Sequence, residues 1–160
     1  MKVYIAGPIQ GWENRQEYRQ SISEVLTKFS NLANLNIQIL DPWKREMVMY
    51  SGQTSDNSFI QRDLRDIDRA DVVIAYEPQK SPGTCMELFY AKRFAKKLVI
   101  VITSQEREKL SPWIVYHADM IVRKIEDIPK ALQKLRECMN LNSKDKTVND
   151  DDQSRCGALR

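Results

Sequence analysis

The sequence predicts a single α/β domain built on a parallel sheet. Short β-branched segments alternate with longer stretches of helical periodicity, as in consecutive βαβ units. Two of the short segments, DVVIAY and LVIVI, are apolar without alternation, which is typical of strands that are covered on both faces. The length of 160 residues suits one domain, since domains contain about 100–200 residues. Together these observations predict a doubly wound, flavodoxin-like (Rossmann-like) fold.

Each element follows from a local pattern. Strands are predicted at 2–6, 36–40, 71–76, 98–102 and 120–123, which makes the sheet five-stranded. Apolar residues at helical spacing predict helices at 14–31, 57–69, 83–97 and 128–139, with a short one after Pro112. Asn14 is a candidate cap for the first helix. Residues 139–160 have few apolar residues and no periodicity, so residues 1–138 are predicted to fold and the rest to form a disordered tail.

Composition and charge exclude several classes of function. The 25 Lys and Arg residues against 22 Asp and Glu residues give a net charge of +3, which suits a small anionic ligand and predicts no nucleic-acid polymer as partner. The three cysteines are widely spaced, which argues against a disulfide framework or a zinc site. The apolar start is too short for a signal peptide, and no apolar run approaches the length of a membrane span. A cytoplasmic protein without membrane partners is expected.

A ligand is expected at the carboxyl edge of the sheet, where the strand order of such folds reverses. The loop at 7–12 contains neither GxGxxG nor GxxxxGK[ST], which argues against a dinucleotide or Walker-type site. The loop at 77–84 leads into a helix, and a helix N-terminus favours an anion such as phosphate. Ser81 and Thr84 in this loop could equally be simple helix caps.

Two carboxylates are predicted near this edge. At about 100° per residue, Glu87 shares a core-facing stripe with Tyr90, Ala91 and Phe94. On the preceding helix, an inward stripe of Ile60, Leu64 and Ile67 makes Asp63 the most inward carboxylate on its side, whereas Asp66 and Asp68 are predicted to lie on a solvated face. Paired carboxylates suit glycosidic cleavage, with one as nucleophile and one as acid. Thr84-x-x-Glu87 is also a capping box, so a structural role stays open.

Four segments resemble one enzyme superfamily. KVYIAGPI, RDLRDIDRADVVIA, SPGTCMELFYA and LSPWIVYHAD resemble the nucleoside 2-deoxyribosyltransferases, most closely their 2'-deoxynucleoside 5'-phosphate N-hydrolase branch. The resemblance implies that Glu87 attacks C1' of the deoxyribose, that Asp63 protonates the leaving base and that Tyr4 orients the nucleophile. It also implies that the first loop lines the base and phosphate pocket through Gly7, Ile9 and Gly11.

The branch is suggested by the residues expected around a phosphate. Ser81 stands where transferases acting on free nucleosides tend to carry an aspartate, and with Gly83 it resembles the phosphate side of the hydrolases. Ser111 resembles a serine that the hydrolases supply from a neighbouring subunit, which implies a homodimer or larger oligomer with shared active sites. Gln10 departs from the arginine that the hydrolases often carry in the first loop. Neither a metal nor an organic cofactor is implied.

The function expected from these residues is an N-glycosidase that hydrolyses 2'-deoxynucleoside 5'-monophosphates to free base and deoxyribose 5-phosphate. One alternative is a transferase that exchanges bases between deoxynucleosides. An alternative of another class is a non-catalytic nucleotide-binding module, in which Thr84 and Glu87 serve only as a capping box. His117, the only histidine, is predicted to have a structural or interface role.

Overall fold

The computed structural model describes residues 1–46 and 58–144. The strands are β1 (Lys2–Ala6), β2 (Gln38–Leu40), β3 (Val72–Tyr76), β4 (Leu98–Ile102) and β5 (Met120–Val122). The helices are α1 (Glu17–Leu32), α2 (Pro42–Glu46), α3 (Ser58–Arg69), α4 (Pro82–Arg93), α5 (Pro112–His117) and α6 (Ile128–Lys144). Short 3₁₀ helices lie between β4 and α5, at Arg107–Lys109, and between β5 and α6, at Ile125–Asp127.

The five strands form one sheet in the order β2-β1-β3-β4-β5, and all neighbouring pairs are parallel. This order confirms the predicted flavodoxin-like fold. The chain runs outward from β1 to β2 and then returns to the other side of β1 with β3, so the order reverses between β1 and β3. The loops that leave these two strands therefore border the crevice in which such folds bind ligands.

Helices cover both faces of the sheet because successive side chains of a strand point to opposite faces. Val3 and Ile5 of β1 belong to a core with residues of α1 and α6. Tyr4 and Ala6 belong to a second core with residues of α3, α4 and α5. The alternation in β1 thus delivers a tyrosine to the α3–α5 face, at the strand beside the crevice.

Several predicted bounds need correction. Helix α1 begins after Gln16, whose side chain donates to the carbonyls of Pro8 and Trp12, so Asn14 is not its cap. Helix α6 continues to Lys144, and its predicted end at 139 was too early. Helix α2 was not predicted at all. The predicted first residue of α3, at 57, and the tail at 145–160 lie outside the described residues.

Helix α3 is rotated relative to the prediction. Ile60, predicted to face inward, is 45% exposed, whereas Asp63 and Asp66 are buried. The buried stripe runs through Asp63, Asp66, Ile67 and Ala70 instead. The prediction that Asp66 lies on a solvated face was wrong, because only 6% of this residue is exposed. On α4, Phe94 was also predicted to face the sheet but is 65% exposed.

Candidate active site

A short hydrogen bond joins two of the predicted catalytic residues. The Tyr4 hydroxyl, which projects from β1 on the α3–α5 face, donates to Oε1 of Glu87 over 2.5 Å. Tyr4 is fully buried, and Glu87 is partly buried on the second turn of α4. The residues are 83 positions apart in the chain, so only the fold brings them together.

The surroundings set the protonation of both groups. Burial raises the pKa of Glu87 to about 7, although the hydrogen bond from Tyr4 and the charge of Arg19 act in the opposite direction. Burial, and then the charges of Glu87 and Asp63, raise the pKa of Tyr4 well above its ordinary value. Tyr4 therefore stays a neutral donor, while Glu87 exchanges its proton near neutral pH and is a nucleophile when ionised.

Asp63 completes the group of predicted catalytic residues. It is buried, with 7% of its surface exposed, on the inner stripe of α3. Its charge acts on the Tyr4 hydroxyl, which places the carboxylate within electrostatic reach of the Tyr4–Glu87 pair. The structure thus brings Tyr4, Asp63 and Glu87 to one place beneath the carboxyl edge of β1 and β3.

The capping-box interpretation of Thr84 and Glu87 was wrong. Helix α4 begins at Pro82 and its cap is Ser81, whose hydroxyl oxygen accepts from the backbone N–H and the hydroxyl of Thr84. Thr84 is therefore the third helical residue and not a cap. Because the carboxylate of Glu87 accepts from Tyr4, its position is tied to β1 and not to the cap of α4.

The first loop contains three predicted pocket residues. Gly7 is required by packing, since a Cβ there would lie 2.5 Å from the Tyr18 hydroxyl oxygen. Gly11 has a φ of +75°, a left-handed conformation that glycine adopts without strain. Ile9 is buried, and its carbonyl accepts from the backbone N–H of Trp12 in the turn that contains Gly11. Gly7 is therefore needed for close packing against Tyr18, and Gly11 for the backbone conformation of the turn.

A buried ion pair beneath the first loop was not predicted. Arg19 of α1 is 2% exposed and donates to the carbonyls of Ile5 and Gly7, and 2.9 Å to Oδ1 of Asp41. It holds the end of β1 and lowers the pKa of Glu87. A signal was present in the sequence: Arg19 precedes Ile22 by three residues and Leu26 by seven, which is the spacing of one helix face.

Glu77, directly after β3, was also missed as a candidate. It is 1% exposed, and its Oε1 accepts from the backbone N–H of Ser81 over 3.0 Å. Its Oε2 is buried and has no hydrogen-bond partner among the described residues. Burial and, to a smaller extent, the charge of Glu87 raise the pKa of Glu77 to about 7, against the effect of the Ser81 N–H. A second titrating carboxyl therefore lies under the loop predicted to meet a phosphate.

The residues predicted to contact a phosphate are less closely grouped. Ser81 is half-buried at the start of α4, and Gly83 has open space around the position of a Cβ. Ser111 lies at the start of α5, where its carbonyl accepts from the backbone N–H of Ile114. No contact within the described part of this single chain joins Ser111 to the Tyr4–Glu87 pair.

An apolar groove of about 320 Å³ lies between α4 and α5. Its lining includes Met86, Phe89, Trp113 and His117. Met86 and Trp113 are largely exposed, and His117 is buried with Nδ1 2.7 Å from the Trp113 carbonyl oxygen. His117 is thus held on α5 by a contact with the backbone one turn earlier, and its structural or interface role stays a prediction.

Within residues 1–46 and 58–144, no cluster of three or more His, Cys, Asp or Glu side chains has the geometry to hold a metal ion. In the same described ranges, no helix combines the length and apolar character needed to cross a membrane.

Comparisons with known proteins agree with this architecture. The chain is similar in structure to the 2-deoxyribosyltransferase of Bacillus psychrosaccharolyticus, with a TM-score of 0.64, 16% identity and coverage of 81% of this chain and 90% of that one. It is also similar to the CMP N-glycosidase of Clostridium botulinum, with a TM-score of 0.53, 18% identity and coverage of 84% and 99%. At these identities, the two similarities show the fold alone.

The sequence comparisons are more specific. No curated protein sequence matches the chain significantly. A family model described as nucleoside 2-deoxyribosyltransferase matches residues 3–150, nearly the whole length. The chain therefore belongs to the nucleoside 2-deoxyribosyltransferase family.

Proposed function

We propose that this protein hydrolyses the N-glycosidic bond of 2'-deoxynucleoside 5'-monophosphates, releasing the free base and deoxyribose 5-phosphate. The observation that carries the proposal is the Tyr4–Glu87 hydrogen bond of 2.5 Å, formed within electrostatic reach of Asp63. A carboxylate nucleophile and a second carboxylate at the ligand edge are the groups that a glycosidic cleavage needs. Family membership makes a deoxyribosyl group the natural substrate.

The first step forms a covalent intermediate. A carboxylate oxygen of Glu87 attacks C1' of the deoxyribose as the bond from C1' to the base nitrogen breaks, and the electron pair of that bond goes to the base. Asp63, in its protonated form, gives the base a proton as it leaves. Tyr4 fixes the rotamer of Glu87 by donating to Oε1, so the carboxylate meets C1' in one orientation.

The second step releases the sugar. Water attacks C1', the bond to the Glu87 oxygen breaks, and Asp63 takes the proton of the water, which restores both carboxyl groups. Because its pKa is raised to about 7, the Glu87 carboxylate is more nucleophilic than that of an exposed glutamate. It is still a better leaving group in the second step than a strongly basic nucleophile would be. Turnover therefore needs Glu87 ionised and Asp63 protonated at the start of each cycle.

The 5'-phosphate is assigned to the start of α4. Ser81 offers a hydroxyl, and the first turn of α4 at Gly83 has open space for the approach of an anion. A helix N-terminus of this length stabilises a phosphate through its partial positive charge. A neutral serine at position 81 adds no repulsion, whereas an aspartate there would.

The proposal includes a dimer. Exposed Met86, Phe94, Trp113 and Tyr116 lie on α4 and α5, beside the apolar groove. Burial of this surface against a second copy would remove large apolar side chains from water. Because Ser111 starts the same α5 helix, an interface there brings the serine toward the phosphate of the neighbouring site.

The experiment is a substrate panel. Purified protein is incubated with each deoxynucleoside 5'-monophosphate and each matching deoxynucleoside, with and without a second free base. Base release from at least one monophosphate without an acceptor is expected. The Glu87→Gln variant should lose at least about 10³-fold in rate, since it removes the attacking oxygen charge. Mass spectrometry of the wild type quenched during turnover should detect the deoxyribosyl phosphate adduct on the peptide that contains Glu87.

Other outcomes identify the alternatives. Product formation only from free deoxynucleosides, and only with an acceptor base, would identify a transferase and contradict the hydrolase proposal. Tight nucleotide binding without turnover in any mixture would identify a binding module. Unchanged turnover in Glu87→Gln would contradict the assigned nucleophile while leaving the activity itself in place.

A further inference from the structure

Glu77 has no part in the two chemical steps, yet it lies directly beneath the proposed phosphate position. It follows β3, and its backbone N–H continues the ladder by donating 2.9 Å to the Ile102 carbonyl. Its Oε1 accepts from the N–H of Ser81, the residue that caps α4. Its Oε2 is enclosed and has no hydrogen-bond donor among the described residues. A buried carboxylate oxygen left in this way favours the neutral form of the acid.

The groups around Glu77 act on this preference in both directions. On α4, the Cys85 thiol donates to Oε1 over 4.0 Å, which favours the ionised form, whereas the charge of Glu87 disfavours a second negative charge nearby. Toward the end of β4, the loop contributes the neutral Gln105, which donates to the Pro78 carbonyl, while Arg123 binds the carbonyl of Gln105 on its exposed side. Burial and Glu87 together outweigh the Ser81 N–H, and the pKa of Glu77 is raised to about 7.

We propose that Glu77 determines specificity: its buried carboxyl must be neutral for the loop between β3 and α4 to accept a 5'-phosphate, whereas a free 5'-hydroxyl binds with either form. This inference rests on the proposed function, since it takes the phosphate to lie at Ser81. Position 81 of this loop is a serine and carries no acid. Glu77 nevertheless places a carboxyl group beside it, since its Oε1 accepts from the Ser81 N–H.

Two effects of ionised Glu77 oppose a phosphate. Its negative charge repels the phosphate across a short distance in a partly desolvated site. It also binds the Ser81 N–H more strongly than the neutral acid does, and so competes for a donor at the start of the helix. If only the neutral form accepts the phosphate, affinity falls tenfold for each pH unit above the pKa of Glu77. Phosphate binding is then accompanied by proton uptake.

The experiment measures binding without turnover. In the Glu87→Gln background, the Kd of one deoxynucleoside 5'-monophosphate and of its parent deoxynucleoside is measured from pH 5.5 to 8.5. The same series is run on Glu77→Gln/Glu87→Gln, in which the amide oxygen still accepts from Ser81. Loss of the Glu87 charge lowers the pKa of Glu77, so the range starts below the value of the wild type. The second ionisation of the phosphate, near pH 6, is common to both proteins.

We expect the nucleotide Kd of the single variant to rise toward tenfold per pH unit at the alkaline end, while the nucleoside Kd stays constant. The double variant should show no such rise and should bind the nucleotide at least tenfold more tightly at pH 8.5. Calorimetry in two buffers of different ionisation enthalpy should detect proton uptake only when Glu77 is present.

Equal pH dependence in the two proteins would overturn the inference, as would equal changes in nucleotide and nucleoside affinity, which indicate loop support only. Failure of the wild type to release base from a nucleotide that binds with the expected pH dependence would overturn the proposed function alone. Binding of deoxynucleosides but of no deoxynucleotide at any of these pH values would overturn both.

Discussion

The two faces of the sheet differ in what they bury. The face under α1 and α6 is filled by large aliphatic side chains, among them Ile5, Leu26, Ile100 and Leu132. The face under α3, α4 and α5 mixes alanines, among them Ala6, Ala75 and Ala91, with larger side chains such as Leu88. The same face carries three polar residues of the site: Tyr4 donates to Glu87, and the charge of Asp63 acts on Tyr4.

This difference shows how one sheet can support both stability and chemistry. Close-packed aliphatic side chains gain free energy from burial on the α1/α6 face. On the other face, buried carboxyl groups cost free energy, and their raised pKa values are the measure of that cost. The α3–α5 face also carries exposed aromatic residues at its outer surface. We call it the open face, and the face under α1 and α6 the closed face.

After Glu87→Gln, the largest effect is expected from a change of Asp63, the buried carboxylate of α3. Asp63→Asn removes the proton donor to the leaving base, and loss of a general acid costs about 10²- to 10⁴-fold in rate. The measurement is kcat for base release from the best substrate. The loss should be smallest for substrates whose base leaves readily without protonation, since these need the acid least.

Asp68→Asn on the same helix is the matched control. Asp68 is exposed and accepts from the Tyr90 hydroxyl, away from the sheet. The substitution is chemically identical, so its rate should remain within about twofold of the wild type, as is usual for surface changes. Equal losses in the two variants would show that the buried position of Asp63 has no special part in the reaction.

The sequence predicted the closed face better than the open one. Continuous apolar segments predict the strands, and helical periodicity predicts the helices between them. Both patterns indicate where large aliphatic residues are buried. Strands β1 and β4 were predicted with the bounds that the structure shows, at Lys2–Ala6 and Leu98–Ile102. The strand order was not predicted; the structure shows it as β2-β1-β3-β4-β5.

The open face could not be predicted in the same way, since it violates the pattern. Helix α3 buries Asp63 and Asp66 and leaves Ile60 exposed, so a stripe drawn through its apolar residues points in the wrong direction. Glu77 is a charged residue in a buried position, and composition alone assigns such residues to the surface. Glu87 and Asp63 were singled out by their positions on helix faces, whereas Tyr4 was identified only through the resemblance to the family.

An effect of intermediate size is expected at the outer surface of the open face. Trp113 is 69% exposed on α5, and Trp113→Glu would place a charge in the proposed interface. Light scattering should show the wild type as a dimer and the variant as a monomer. If Ser111 then fails to reach the phosphate of a neighbour, KM for the nucleotide should rise about tenfold or more, as for a lost hydrogen bond to a charged group. A wild type that is monomeric and fully active would contradict the shared site.

The smallest effect, and the most specific one, is expected from the Tyr4 hydroxyl. Its hydrogen bond lowers the pKa of Glu87, so Tyr4→Phe should raise that pKa above about 7. Glu87 attacks only when ionised, and therefore the acidic limb of the kcat/KM profile should move to higher pH. The loss of activity should be about tenfold at pH 6 and smaller at pH 8.5, where Glu87 is ionised in both proteins.

The sign of this shift separates positioning from packing. A tyrosine that only fills space under α4 would leave the acidic limb where it was and lower activity equally at every pH. A tyrosine that holds a charged nucleophile must change the pH at which that charge appears, because the hydrogen bond favours the ionised carboxyl group. A limb that moved to lower pH would contradict the Tyr4–Glu87 hydrogen bond as the device that prepares Glu87 for attack.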